Sequence, residues 1–240
     1  FMIGGIPGLV MAALMWFVVR EPVKRAVTGH GGGTNAPFLS MFAHRNAKVA
    51  PLTLICAMGG IFVIAAMLQA YLTAPPEAKG LGLDALTAGS VFTAVGFGGC
   101  IGQFAMPAIS DFIGRKLATL ASYFLAAVSL YFFTQAGADN TTVLWILLFF
   151  ASLFNFAALA ILAGPVAAEA APPGMLASMA GFVIFAGEFV GGGAAPMIAT
   201  RIVGVAEYGL RGALYFAAIG LVVGFVVALF LKETAPRKQR

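Results

Sequence analysis

Charge is scarce in this chain. Of its 240 residues only 10% are Asp, Glu, Lys or Arg, where a soluble domain carries about 25%. So few charges cannot cover a water-facing surface, and a soluble fold is excluded. Cysteine and histidine are equally thin, at two each. Cys56 and Cys100 lie inside apolar runs without a CxxC spacing, which excludes a disulfide framework and leaves them as packing residues. His30 and His44 share one polar segment away from any acid cluster, so no metal site is expected. A membrane-embedded enzyme would need His, Asp or Cys gathered at one membrane face, and these two histidines in a glycine-rich loop do not supply that. Phosphate-binding loops are missing too. Gly29-His-Gly-Gly-Gly33 has no preceding strand and no following Gly-Lys-Ser/Thr, so it reads as a flexible linker. Gly96-Phe-Gly98-Gly99-Cys-Ile-Gly102 lies inside an apolar run, which rules out a dinucleotide fingerprint. No cofactor is called for, and an ATP-driven pump is disfavoured.

What the chain has in plenty is apolar sequence: 61% hydrophobic residues and a mean hydropathy of +0.97. Seven apolar runs can be drawn, at 1–19, 51–73, 86–109, 117–136, 143–168, 175–199 and 212–231. Each is near the ~20 residues that carry a helix across ~30 Å of hydrocarbon. The runs are continuous rather than alternating, which excludes a β-barrel. The fold class is all-α, a polytopic membrane helical bundle with seven predicted transmembrane helices. Thirty glycines point to close helix packing within it. The fourth run is rich in aromatics (Tyr123, Phe124, Tyr131, Phe132, Phe133), as expected of a lipid-facing helix. Pro75-Pro76 and Pro172-Pro173 are firm helix stops, and residues 38–42 suggest a short interfacial turn. The organisation that follows is a helix at 1–19, a cytoplasmic loop at 20–50, six helices over 51–231 and a basic tail at 232–240. Phe1 opens the chain in mid-run, without a basic leader, so sequence upstream is expected.

Orientation follows from the bases. Alternate loops place eleven of the fourteen Lys and Arg on one side, leaving Lys79, Arg201 and Arg211 on the other. The base-rich side is expected to be cytoplasmic, with the C-terminus inside. The formal charge of +5 therefore reflects topology and not a nucleic-acid partner.

Between the third and fourth runs lies one charged hinge, Pro107-Ala-Ile-Ser-Asp111-Phe-Ile-Gly114-Arg115-Lys116-Leu117. Asp111 can accept hydrogen bonds at a helix end, Gly114 permits a tight turn, and Arg115 with Lys116 hold the loop at one membrane face. An Asp followed three residues later by Gly-Arg-Lys resembles the loop signature of the major facilitator superfamily of secondary transporters, with Pro107 where that signature usually begins with Gly. Nearly the whole chain is similar to that family's sixth helix, central loop and helices seven to twelve. Glu169 with Pro172 resembles the acid-and-proline end of helix ten in sugar-porter-like members, although Gly174 and Leu176 stand where Arg is usual.

The resemblance implies half of a twelve-helix transporter, with a small-molecule substrate bound near the bilayer midplane between this half and a missing N-terminal half. It implies a conformational latch of Asp111, Gly114, Arg115, Lys116 and Glu169. In the family, the signature Asp works against the opposite half, so Asp111 is expected to find no such partner here. The leading functional reading is a secondary active transporter in a plasma (inner) membrane, of the metabolite or organic-acid:proton symporter kind. A drug or multidrug efflux antiporter and a non-transporting membrane scaffold are the alternatives.

Glu188 is the one ionisable residue deep in a run, near the bilayer centre with Gly181, Gly191, Gly192 and Ala195 as helical neighbours. Such an acid is costly in lipid and often relays protons. Either it couples proton movement or contacts substrate, or it is a neutral, hydrogen-bonded packing residue. Gln69, Gln103 and Asn155 are expected to be buried amides that bind substrate or tie helices together. Gly98 with Gly102, and Gly191 with Gly192, supply small faces for helix contact.

Overall fold

The computed structural model describes residues 2–18, 38–205 and 207–235. The chain divides into two units, Phe1–Asn35 and Ala36–Arg240. The first holds one uncharged apolar helix, α1 (Met2–Val18), of 17 residues.

The second holds six helices long and apolar enough to cross a membrane. They are α2 (Arg45–Thr73), α3 (Ala85–Ile113), α4 (Arg115–Gln135), α5 (Thr141–Ala170), α6 (Leu176–Val203) and α7 (Gly209–Ala228). No strand occurs among the described residues. Most boundaries fall within a few residues of the apolar runs, and the exceptions have physical causes. α2 starts at Arg45, inside the segment expected to be loop, because the His44 ring accepts a 3.2 Å hydrogen bond from the Asn46 amide and caps the helix. Its first two turns bury Asn46, Ala47 and Ala50 and expose Arg45 and Lys48, an amphipathic pattern that an apolarity count misses. Just before it, Phe38–Ala43 forms a 3₁₀ turn, with Met41 fully buried and Phe42 edge-on to Phe182 of α6. α3 runs through Pro107 and Asp111 to Ile113, so the hinge is one residue and not a loop.

Glycine lets the helices touch backbone to backbone. A Cβ built on Gly98 would overlap the Phe149 carbonyl oxygen, and one on Gly102 would overlap that of Leu153. The offset of 51 residues is the same at both contacts, as two parallel helices in fixed register require. Between α6 and α2, a Cβ on Gly187 would lie 2.8 Å from Leu54 Cγ, and one on Gly191 would overlap the Ile55 carbonyl oxygen. On Gly192 it would lie 2.9 Å from Phe62 Cε2.

Two spans break their α-helical ladder with a π turn, α5 at Leu162–Val166 and α6 at Gly187–Gly192. The first contains Pro165, which has no N–H to donate. α4 is two-faced and not simply lipid-facing. Tyr123 and Phe133 are fully buried while Phe124, Tyr131 and Phe132 are exposed. The Tyr123 hydroxyl donates to the Thr53 carbonyl of α2 at 2.5 Å. Cys100, expected in packing, is exposed.

Candidate functional site

Gly114 stands alone between α3 and α4 with φ 107° and ψ 146°, a backbone conformation that L side chains rarely adopt. With no Cβ in the way, the α4 N-terminus presents its free amides outward. The Glu233 carboxylate takes them: the Arg115 amide donates to Oε1 at 2.7 Å and the Lys116 amide to Oε2 at 3.2 Å. A Cβ on Gly114 would overlap that carboxylate. An anion at a helix N-terminus is also favoured by the helix dipole.

Arg115 begins α4 and is 6% exposed. A buried guanidinium is costly unless its donors are matched, and here they are. Nε and Nη2 both lie 3.0 Å from Glu169 Oε1, Nη2 pairs with Asp111, and Nη1 donates to Ser110 Oγ and, at 3.1 Å, to the Pro107 carbonyl. Within this half Asp111 is paired with Arg115, one helical turn on in sequence. Glu169 in turn accepts from the Thr234 hydroxyl. Lys116 Nζ donates to the Leu229 carbonyl at the end of α7, at 2.7 Å.

The start of the supposed tail is built into this cluster. Asn46 of α2 clamps the Lys232 backbone from both sides, donating to its carbonyl at 2.9 Å and accepting from its amide at 2.8 Å. Thr234 and Ala235 are buried, and their amides donate to Glu233 Oε1 at 3.0 and 2.9 Å. Partial burial pushes the Glu233 carboxyl up, but the backbone donors of Ala235, Arg115, Lys116 and Thr234 together hold it below the ordinary carboxylate range. The result is a polar clasp joining one end of α2, α3, α4 and α5 to the segment after α7. Asp111, Gly114, Arg115, Lys116 and Glu169 all meet in it. Sequence reasoning missed Asn46, Ser110, Glu233 and Thr234. The one available signal was Lys232-Glu-Thr in place of a featureless basic end.

The other singled-out residues lie apart. Glu188 sits in the π turn of α6 and is exposed, although Gly187 and Gly191 beside it are buried against α2. The expected small-residue stripe around it splits, because a π turn advances fewer degrees per residue than an α-helix. Gly181 faces open space. Gln69 and Gln103 are exposed and not buried, so their amides tie no helices within the unit. Asn155 alone is buried, at 1% exposure. Neither its Oδ1 nor its Nδ2 has a hydrogen-bond partner, and neither has Ser152 Oγ one turn away.

Residues 52–240 match the sequence model described as the Major Facilitator Superfamily. The search of curated proteins found no match for the chain. Solved structures similar in fold include the following three. A POT family transporter in complex with 5-aminolevulinic acid has a TM-score of 0.67 at 21% identity, over 78% of this chain and 38% of that one. A POT family transporter with a thioalcohol-conjugated peptide gives 0.67 at 20% identity, over 80% and 39%. A mutant peptide transporter POT in complex with sulfate gives 0.67 at 16%, over 78% and 37%. The chain therefore spans well under two thirds of the length of these structures, and at such identities the likeness is one of fold.

Proposed function

Because the chain belongs to the Major Facilitator Superfamily, we propose that it supplies the C-terminal half of a secondary active transporter that moves a small polar solute by alternating access, with proton coupling at Glu188. The observation that carries this reading is the exposure of Glu188 in the middle of a membrane-length helix. An acid held in hydrocarbon is costly, so such a residue faces protein or a water-filled cavity. α6 and α3 are also the least buried of the six spans, and polar side chains are exposed on both: Ser90, Thr93 and Gln103 on α3, Ser178 and Thr200 on α6. Gln69 on α2 adds another. Faces of this kind suit a solute pathway shared with a second six-helix unit, the N-terminal half. In this reading Gln69 and Gln103 contact solute, and Asn155 is an amide left for water or solute to satisfy. The clasp around Arg115 is the conformational latch. It sits at the cytoplasmic end of a plasma (inner) membrane protein, with the C-terminus inside.

Glu188→Gln tests the coupling. Gln mimics the protonated acid, so uphill solute uptake is expected to be lost while counterflow exchange survives. Uphill uptake unchanged from the parent would remove Glu188 from coupling.

A further inference from the structure

A groove of about 960 Å³ runs between α4 and α7, with Ile202 at the end of α6 also lining it. Its walls are hydrocarbon and aromatic, among them Phe124, Phe132, Phe216, Ile219, Val222 and Phe225. Several of these are well exposed, so the groove is open along its length. Apart from Tyr123, whose hydroxyl is taken up by the Thr53 carbonyl, its polar groups lie at the end where α7 begins. There Tyr131, Tyr208 and Tyr215 line it, and Gln135 donates to the Tyr215 hydroxyl at 2.7 Å. Arg211 stands at the same end, one position before the groove-lining Gly212, with its side chain beside the phenol of Tyr71. No carboxylate pairs with Arg211 among the described residues, and its Nε is buried without an acceptor. It is also the third residue of a 20-residue helix, whose N-terminus itself favours an anion. The Lys79 side chain approaches the same turn, since a Cβ on Gly209 would lie 2.8 Å from Lys79 Cγ.

An apolar trough with unneutralised positive charge at one end, from Arg211 and the nearby Lys79, matches a molecule with a long hydrocarbon body and one anionic head. In a membrane protein the abundant molecule of that description is an anionic phospholipid. We propose that the α4–α7 groove is a binding site for one anionic phospholipid. An acyl chain lies along Phe124, Phe132, Ile219 and Val222, and the phosphate is held by Arg211. A helix of another protein would fill the trough but leave Arg211 without a counter-charge. A zwitterionic lipid would bring its own cation to the same place.

The test is native mass spectrometry of the full-length transporter, purified in detergent and titrated with phosphatidylglycerol or phosphatidylcholine of identical acyl chains. One phosphatidylglycerol is expected to be retained, in clear preference to phosphatidylcholine. One Lys or Arg near the membrane surface contributes about a five-fold preference for anionic lipid. Arg211→Gln should therefore weaken phosphatidylglycerol about five-fold and leave phosphatidylcholine unchanged, while Arg211→Lys keeps most of the preference. Val222→Trp, at an exposed groove wall, should weaken both lipids with no change in thermal stability. Equal retention of both lipids by the parent, or no lipid retained at all, would overturn the proposal. So would a phosphatidylglycerol affinity that Arg211→Gln or Val222→Trp leaves untouched.

Discussion

Replacing Gly114 with alanine strikes the clasp at its tightest point. Two costs add. The first is backbone strain: φ 107° with ψ 146° is a conformation essentially reserved to glycine, and an L residue held there costs roughly 1–3 kcal/mol. The second is the helix cap. The new Cβ would overlap the Glu233 carboxylate and sit 2.9 Å from its Cδ, so Glu233 has to withdraw from the Arg115 and Lys116 amides. Losing an N-terminal cap of this kind costs about 1–2 kcal/mol. The expected destabilisation is therefore roughly 2–5 kcal/mol, an apparent melting temperature lower by roughly 4–20 °C for a chain of this size.

The assay is thermal unfolding in detergent, with Gly193→Ala as the control. Nothing lies within 4 Å of a Cβ at Gly193, so alanine there should stabilise by about 0.5–1 kcal/mol through the helix interior. A Gly114→Ala, Glu233→Ala cycle separates the two costs. The double variant should be less destabilised than the two single effects added together, because the cap can be lost only once. A Gly114→Ala protein that melts with the parent would refute the strain argument, and strict additivity would refute the dependence of Glu233 on Gly114.

Glu233 carries its own pH signature. Its folded-state pKa is lowered from the ordinary 4.5, so its contribution is present above that value and is lost as pH falls through the depressed folded pKa. The parent should lose stability in that acid window, and Glu233→Gln should show a flatter profile there; identical profiles would mean that the carboxylate holds no net advantage in the clasp. Asp111→Asn leaves the Glu169 pairs of Arg115 intact and removes only a half-exposed ion pair, a loss of about 1 kcal/mol or less. It should insert and fold like the parent but transport more slowly, and normal transport would reduce the hinge to a topology signal.

Much of the fold was legible because membrane-length apolar runs admit few alternatives. Six such runs correspond to six helices, broken where Pro75-Pro76 and the Pro172 segment break them. What escaped was polar helix. Residues 45–50 look like loop to an apolarity count, yet Asn46 is buried because its side chain holds the Lys232 backbone 186 positions away. No local pattern encodes a partner at that distance. The hinge was legible as a cluster of residue types. Its geometry was not, since nothing in Asp-x-x-Gly-Arg-Lys says that the helix continues to Ile113 or that the Gly114 gap admits Glu233. The amides Gln69 and Gln103 were misplaced for the converse reason. A polar residue in an apolar run signals that something polar will cover it, and that cover need not come from its own six helices.

The clasp also divides the unit. It takes side chains or backbone from α2, α3, α4, α5 and the segment after α7, but no residue of α6 enters it. α6 is likewise the least buried span, and its ladder is interrupted at Gly187–Gly192. There it touches α2 through glycine on both sides: a Cβ on Gly191 would lie 3.0 Å from the Gly59 amide, and one on Gly59 would lie 3.2 Å from Ala195 Cβ. A close, smooth contact near mid-span, with no polar tie beyond it among the described residues, is a place where one helix can pivot on another. α3 and α5, fixed in register at Gly98 and Gly102, are not free to do so. Spin labels at Thr73 and Arg201 report the far ends of α2 and α6, and labels at Leu86 and Thr142 report α3 and α5. In the reconstituted full-length protein the first pair should give a broad distance distribution. The second pair should give one narrow distance. Equal breadth in both pairs would mean that the clasp does not partition the motion, and that the six helices move as one body.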